Sequence, residues 1–412
     1  MKRVVLDGLA FGGDAIARDD GQVIFVPFGL PGEQVEIEIV EQKRDYARGR
    51  IVQVLSPSPH RVQPACPYFG ECGGCSFQHA DYEAQLAWKR QMVVDQLRRI
   101  GHLADAEALV LPALGMLDPW TYRNQARFTV GRRYGELCFT HKSSRRPLRI
   151  DRCPIMQPEI NATLARLQRR LAGFPSHQLT IRQGTNTGQQ LVSPPVPMAP
   201  ELETGQTLLE EELLGRRFRI STASFFQVNT RREPRPPPAG IRLPPFELPA
   251  NGLSMAELLV LLVFDRLVPR GDELLVDAYA GVGTFAILLA PTAGEVIGIE
   301  ESAAAVRDAR HNAAELENVR FVEGKTEREL PNLERQPDLV ILDPARPGCH
   351  PAVLEALVRA EPRRVVYVSC DPSTLARDLS VLVNGGFRLE SVQPLDMFPQ
   401  TYHIECVASL SA

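Results

Sequence analysis

The residues of this 412-residue chain best suited to chemistry are two sets of cysteines and a few acids at the ends of apolar runs. Cys370 follows the run RVVYVS and precedes the polar turn Asp371-Pro372-Ser373. A thiol at a strand end, next to a turn, is partly exposed and can ionise to a nucleophile. Asp343 in LDPARPG and Glu405 in YHIECVASL close or open other such runs, and Glu405 is a candidate base. Taken alone, an acid on a strand is more often simply solvated. Cys138, Cys349 and Cys406 lack these flanks and read as small buried hydrophobes.

A second set is Cys66, Cys72 and Cys75 in CPYFGECGGC, joined by Cys153 in DRCP. Three closely spaced cysteines on a Gly/Pro-rich loop can wrap a compact metal cluster, and the distant fourth would pin that loop to the middle of the chain. A zinc ion uses the same tetrathiolate ligation, so spacing leaves the metal open. A third feature is the turn Ala280-Gly281-Val282-Gly283 between the strand-like LLVDAY and the apolar TFAILLA. Glycines there let a ligand approach the backbone, and Glu300, ending the next apolar run, is placed to accept hydrogen bonds from ribose hydroxyls. The spacing Gly281-x-Gly283-x-x-Ala286 also matches a dinucleotide fingerprint, so NAD competes on this motif alone, as does a glycine turn with no ligand. Asp277 and the later Cys370 weigh against NAD.

Positioning these residues requires several folding units. Residues 1–58 alternate in short strand-like runs punctuated by glycine and proline, which predicts a small OB-like β-barrel. Residues 59–230 hold the cysteine loop, a helical pattern over 80–100, a further helix near 158–172 and β-rich pieces, a mixed α+β region. Residues 231–251 include seven prolines before position 250 and read as an exposed linker or insert. From 252 to 412 helices alternate with short apolar strands, which predicts an α/β doubly wound, Rossmann-like sheet.

The net charge of −4 is unevenly spread. Residues 1–240 hold 31 Lys and Arg against 25 acids, while 241–412 hold 15 against 25. Much of the basic excess lies in 121–150, where Arg123, Arg127, Arg132, Arg133, Lys142, Arg145, Arg146 and Arg149 face one acid, Glu136. That asymmetry fits a basic RNA-facing half joined to an acidic cofactor-binding half, with a solvated charged face as the plain alternative. No apolar run is long enough for a membrane span and the start lacks a secretory signal, so a cytoplasmic location is expected, where clustered cysteines point to metals or catalysis rather than disulfides.

Together, FVPFGLPGEQVEIEI, CPYFGECGGCSFQH, WTYRNQARFTV, FRISTASFFQVN, VDAYAGVGTF, LDPARPG, YVSCDPSTLARDL and DMFPQTYHIE resemble the RNA (uracil-5-)-methyltransferase family over nearly the whole chain. The likeness is to its iron-sulfur members, which carry a TRAM domain and modify 23S ribosomal RNA. It implies a class I methyltransferase domain, a [4Fe-4S] cluster on Cys66, Cys72, Cys75 and Cys153, and S-adenosylmethionine contacts from Gln227, Tyr279, Thr284, Glu300 and Asp343. It further implies Cys370 as nucleophile and Glu405 as base, acting on 23S rRNA as a monomer with no obligate protein partner. Two departures stand out: Lys325 occupies a position where the family commonly has Asn or Asp near the adenine, and the proline-rich insert follows FFQVN directly. The tRNA enzymes of the same family and a non-catalytic iron-sulfur RNA-binding protein are the competing readings.

Overall fold

The computed structural model describes residues 1–131 and 133–412. Lys2–Ser56 form six strands, hydrogen-bonded in the order Lys2–Val5, Gln34–Gln42, Tyr46–Ser56, Gln22–Val26, Ala15–Asp19, Gly8–Leu9. The two outermost strands are joined by only Leu6 and Asp7, so the sheet must curl until its edges meet. Leu6 N–H donates to Glu33 O and Asp7 N–H to Ile16 O, which bridges the seam. Alternation is visible in Gln34–Gln42, where Val35 and Ile37 are fully buried while Glu36 is half-buried and Glu38 exposed.

The helix Tyr82–Arg99 starts where Asp81 accepts a hydrogen bond from Ala84 N–H and carries Arg98 and Arg99 in its last turn, both favourable to the helix dipole. A five-stranded sheet, including Gln125–Val130 and Gln178–Gln183, packs against the helix Pro158–Leu167 through Ile160, Leu164 and Leu167. The proline-rich segment has neither helix nor strand, yet it is fastened rather than free. Arg232 pairs with Glu257 at 2.8 Å and with Glu212 at 3.2 Å, buried Glu233 accepts from Leu117 and Asp118 N–H, and Phe246 and Leu248 pack on the core.

The C-terminal region opens on Met255–Leu267, capped reciprocally by Ser254 and Glu257 and apolar on nearly every face because it is buried all round. Seven strands then form one sheet in the order Val319–Glu323, Glu295–Glu300, Leu274–Asp277, Leu339–Leu342, Arg364–Ser369, Glu405–Ser411, Arg388–Leu395. The first five strands in that order run parallel, and Glu405–Ser411 runs against both of its neighbours. The expected doubly wound α/β sheet is present. The sequence reading omitted Arg388–Leu395, whose pattern is broken by Pro394 and by a register shift between Leu389 and Ser391. Among the described residues no helix is long and apolar enough to cross a membrane.

Candidate active site

Parallel strands end on the same edge, and the chain reverses its winding between Leu274–Asp277 and Leu339–Leu342, where open sheets leave a crevice. Asp277, Glu300, Asp343 and Cys370 all stand at or just past that edge. Glu405 joins them because its strand is antiparallel: Cys406 pairs with Ser369, so the strand begins where its neighbour ends, opposite Cys370.

Beyond Asp277 the backbone enters the left-handed region at Gly281 (φ 55°) and Gly283 (φ 87°), and the space beside Gly281 is open where a Cβ would stand. At Gly283 a Cβ would come within 2.8 Å of the Phe321 ring, so that glycine is needed for packing as well as conformation. Thr284 is the first residue of the helix Thr284–Leu289 and is half-buried. Asp277 is fully buried, with one oxygen accepting from Ala286 N–H and the other without a partner. Burial, then the Glu300 charge, pushes its carboxyl up to about 7. Glu300 accepts from Gly281 N–H at 3.0 Å and Ser302 N–H at 2.7 Å, which ties it to the glycine turn and leaves further lone pairs. Tyr279 is half-buried beside Cys349, Asp343 is half-buried, and Lys325 is exposed ahead of the short helix Thr326–Glu329.

Cys370 is half-buried and its thiol is pushed up to about 11, by burial first and then by Glu405 and Asp343, with the Arg346 guanidinium pulling it back. Glu405 is only 5% exposed, and burial, then Asp343, holds its carboxyl well above the usual range. Cys370, Glu405, Asp343 and Arg346 therefore share one electrostatic neighbourhood. Arg346 also reaches His403 at 3.3 Å, whose imidazole is pulled down to about 4 by burial and then by that guanidinium. The sequence reading did not single out Arg346, although it lies within the quoted LDPARPG. Nor did it find Asp308 and Asn312, which bring FRISTASFFQVN to the crevice. Asp308 accepts from Ser221 and Ser224, and Asn312 bridges Arg219 O and Val282 O. Gln227 lies at the end of that segment, its carbonyl bonded to Asn124.

Cys66, Cys72, Cys75 and Cys153 are all free thiols, and Cys138, Cys349 and Cys406 are buried. Burial pushes Cys75 up to about 12 and Cys153 to about 11, and the charges of the four cysteines act on one another. Gly74 N–H points at the Cys72 sulfur at 3.4 Å. Among the described residues, however, no three His, Cys, Asp or Glu side chains converge as ligands of a metal ion. The converged ligand set that the spacing leads one to expect is thus not formed by the side chains as they stand. The loop is pinned to the middle region by its backbone: Gly73 N–H donates to Thr140 O and Lys142 N–H to Glu71 O. Of the basic window, Arg127, Arg133, Arg145 and Arg146 are exposed, and Arg132 lies outside the described residues.

Comparison with known proteins agrees with this architecture. Residues 2–52 match the TRAM domain, and residues 254–412 match the family described as tRNA (Uracil-5-)-methyltransferase. An uncharacterised RNA methyltransferase of Thermosynechococcus vestitus is 36% identical over 98% of this chain and 97% of its own length. One from Gloeobacter violaceus is 37% identical over 99% and 95%. Among solved structures, the Pyrococcus abyssi tRNA (uracil-54, C5)-methyltransferase in complex with S-adenosyl-L-homocysteine superposes with a TM-score of 0.73, covering 99% of this chain and 100% of that one at 24% identity. This chain belongs to the RNA methyltransferases, in the branch that joins a TRAM domain to a (uracil-5-)-methyltransferase domain.

Proposed function

We propose that the protein methylates C5 of a uracil in 23S ribosomal RNA, with S-adenosylmethionine as methyl donor and Cys370 as a transient covalent nucleophile. The observation that carries this reading is the meeting of Cys370, Glu405, Asp343 and Arg346 at the sheet edge beside the glycine turn. The crevice fits the cofactor: open space beside Gly281, an unpartnered buried oxygen on Asp277, and a rim of acids suited to a cation. Gln227, Tyr279, Thr284, Glu300 and Asp343 would hold it. Bound there, it supplies a methyl group on a positively charged sulfur.

Uracil C5 is too weak a nucleophile to take that methyl unaided. The target base leaves its stack, and the Cys370 thiolate adds to C6, which makes C5 enolate-like. After methylation, Glu405 takes the C5 proton, the C5–C6 double bond reforms and the thiolate leaves. Arg346 favours the thiolate through its charge.

The TRAM domain and the four cysteines support the ribosomal substrate. Transfer RNA is the second reading, favoured by the fold shared with the archaeal tRNA enzyme. Cys66, Cys72, Cys75 and Cys153 would hold a [4Fe-4S] cluster: all four are free thiols near enough for their charges to act on one another, and the positive charge of bound iron would offset the burial and mutual repulsion that disfavour their thiolates. The decisive test compares two variants on RNA substrate. Cys370→Ala should bind RNA yet form no covalent adduct, whereas Glu405→Gln should accumulate a methylated adduct that survives denaturing electrophoresis. An adduct with Cys370→Ala, or normal turnover by Glu405→Gln, refutes the corresponding role. Mass spectrometry of ribosomal and transfer RNA from a strain lacking the gene identifies which RNA loses 5-methyluridine.

A further inference from the structure

Resting on that reading of Glu405, we propose that the cysteine loop and the helix Tyr82–Arg99 jointly set the position of the base, and that Gln85 is the positioning residue at their junction. The residues from Asp396 to Ile404, leading into Glu405, have no regular structure. Groups far away in sequence hold them. Lys89 Nζ donates to Asp396 Oδ1 at 2.6 Å and to Phe398 O at 3.2 Å, and Tyr122 donates to Pro399 O at 3.0 Å. Gln85 makes a reciprocal pair with Gln400: its Nε2 donates to Gln400 Oε1 at 3.1 Å, and its Oε1 accepts from Gln400 N–H at 3.2 Å. The same Nε2 reaches Phe77 O and Ala80 O at 3.2 and 3.0 Å. Ser76 and Phe77 N–H, directly after Cys75, donate to Gln400 O at 2.9 and 3.0 Å.

Gln85 and Lys89 are fully buried, so these bonds form where water cannot replace them. Gln400 sits at φ 69°, in the left-handed region, which a residue with a side chain keeps only where its surroundings over-determine it. Cys370 follows the strand Arg364–Ser369, and none of the Gln85 bonds reaches it; the helix Tyr82–Arg99 meets the segment after Cys370 one turn or more further along, where Ser373 donates to Gln96. Loosening the network therefore displaces the carboxylate while sparing thiol addition. Methyl transfer proceeds, but breakage of the C5–H bond lags: the proton has no acceptor in place, so its electron pair cannot reform C5=C6 and expel the sulfur.

The test uses the full chain, uridine-containing transcript and S-adenosylmethionine, quenched in detergent. Gln85→Met keeps the volume and removes the amide's bonds to Gln400, Phe77 O and Ala80 O, the two Nε2 hydrogens being shared among three acceptors. It should raise the fraction of methylated RNA-protein adduct by about tenfold, because a positioned base is worth roughly 100-fold or more, while single-turnover methyl transfer stays near the wild-type rate. Gln400→Gly, which suits the backbone conformation and loses only the side-chain bond, should raise the adduct to a lesser degree, and it decides the matter if Gln85→Met does not fold. A folded variant with no excess adduct, or one losing adduct formation and methyl transfer together, overturns the proposal. Wild type with 5-fluorouridine RNA is the control: no trapped adduct there means that the reading of Cys370 and Glu405 has itself failed.

Discussion

In the resting protein Cys370 should ionise late for a thiol proposed to act as a nucleophile. Its pKa of about 11 against a usual 9.0 corresponds to roughly 3 kcal/mol disfavouring the thiolate. Burial contributes most, then Glu405 and Asp343. The sign is that of a neutral acid: raising the pKa leaves less thiolate at any given pH, on the order of one part in a thousand at pH 8. Alkylation of the free protein by iodoacetamide, followed on the Cys370 peptide by mass spectrometry, should therefore accelerate about tenfold per pH unit from pH 7 upward, with no plateau before about pH 10. Arg346→Gln removes a charge that favours the thiolate and should slow alkylation several-fold at fixed pH. The rate of methyl transfer at low RNA concentration should rise with pH for the same reason. A plateau with an apparent pKa at or below the usual 9.0 would refute the reasoning.

Alanine at Arg133, Arg145 and Arg146 together should weaken RNA binding and flatten its salt dependence by about 0.7 in log-log slope for each phosphate no longer neutralised; an unchanged slope marks a merely solvated face. Protein purified without oxygen should be brown and hold about four irons per chain, absent from Cys72→Ser, and zinc in their place would overturn the cluster assignment. Lys89→Met leaves Asp396 fully buried with no cation, while its other oxygen already lacks a partner, so stability should fall by about 3–5 kcal/mol, read as an earlier urea transition. A fall below about 1 kcal/mol would mean the pair is not charged as drawn.

Local pattern determined much of this protein. Short apolar runs bounded by glycine and proline announce the parallel strands: a strand buried on both faces shows no alternation, so its shortness between turn residues, rather than its period, separates it from a buried helix. The turn at Gly281 and Gly283, and a thiol directly after a strand at Cys370, are likewise properties of a few adjacent residues. Arg388–Leu395 escaped notice because a proline and a bulge break the local period, and only pairing with Glu405–Ser411 makes it a strand.

What tertiary structure alone decided is which distant groups meet. Glu405 is a candidate base in the sequence, where an acid on a strand taken alone is more often solvated, and it is antiparallel register that brings it to the strand end next to Cys370. Asp308 and Asn312, on an unremarkable helix, grip Ser221, Ser224 and the glycine turn. Gln85 and Gln400, or Lys89 and Asp396, carry no mark of partnership in sequences some 300 residues apart. The physical reason is that periodicity and turn chemistry act over a few residues, whereas a buried polar group needs a partner wherever the packed chain supplies one. Sequence pattern specifies that need, and only the folded chain specifies who meets it.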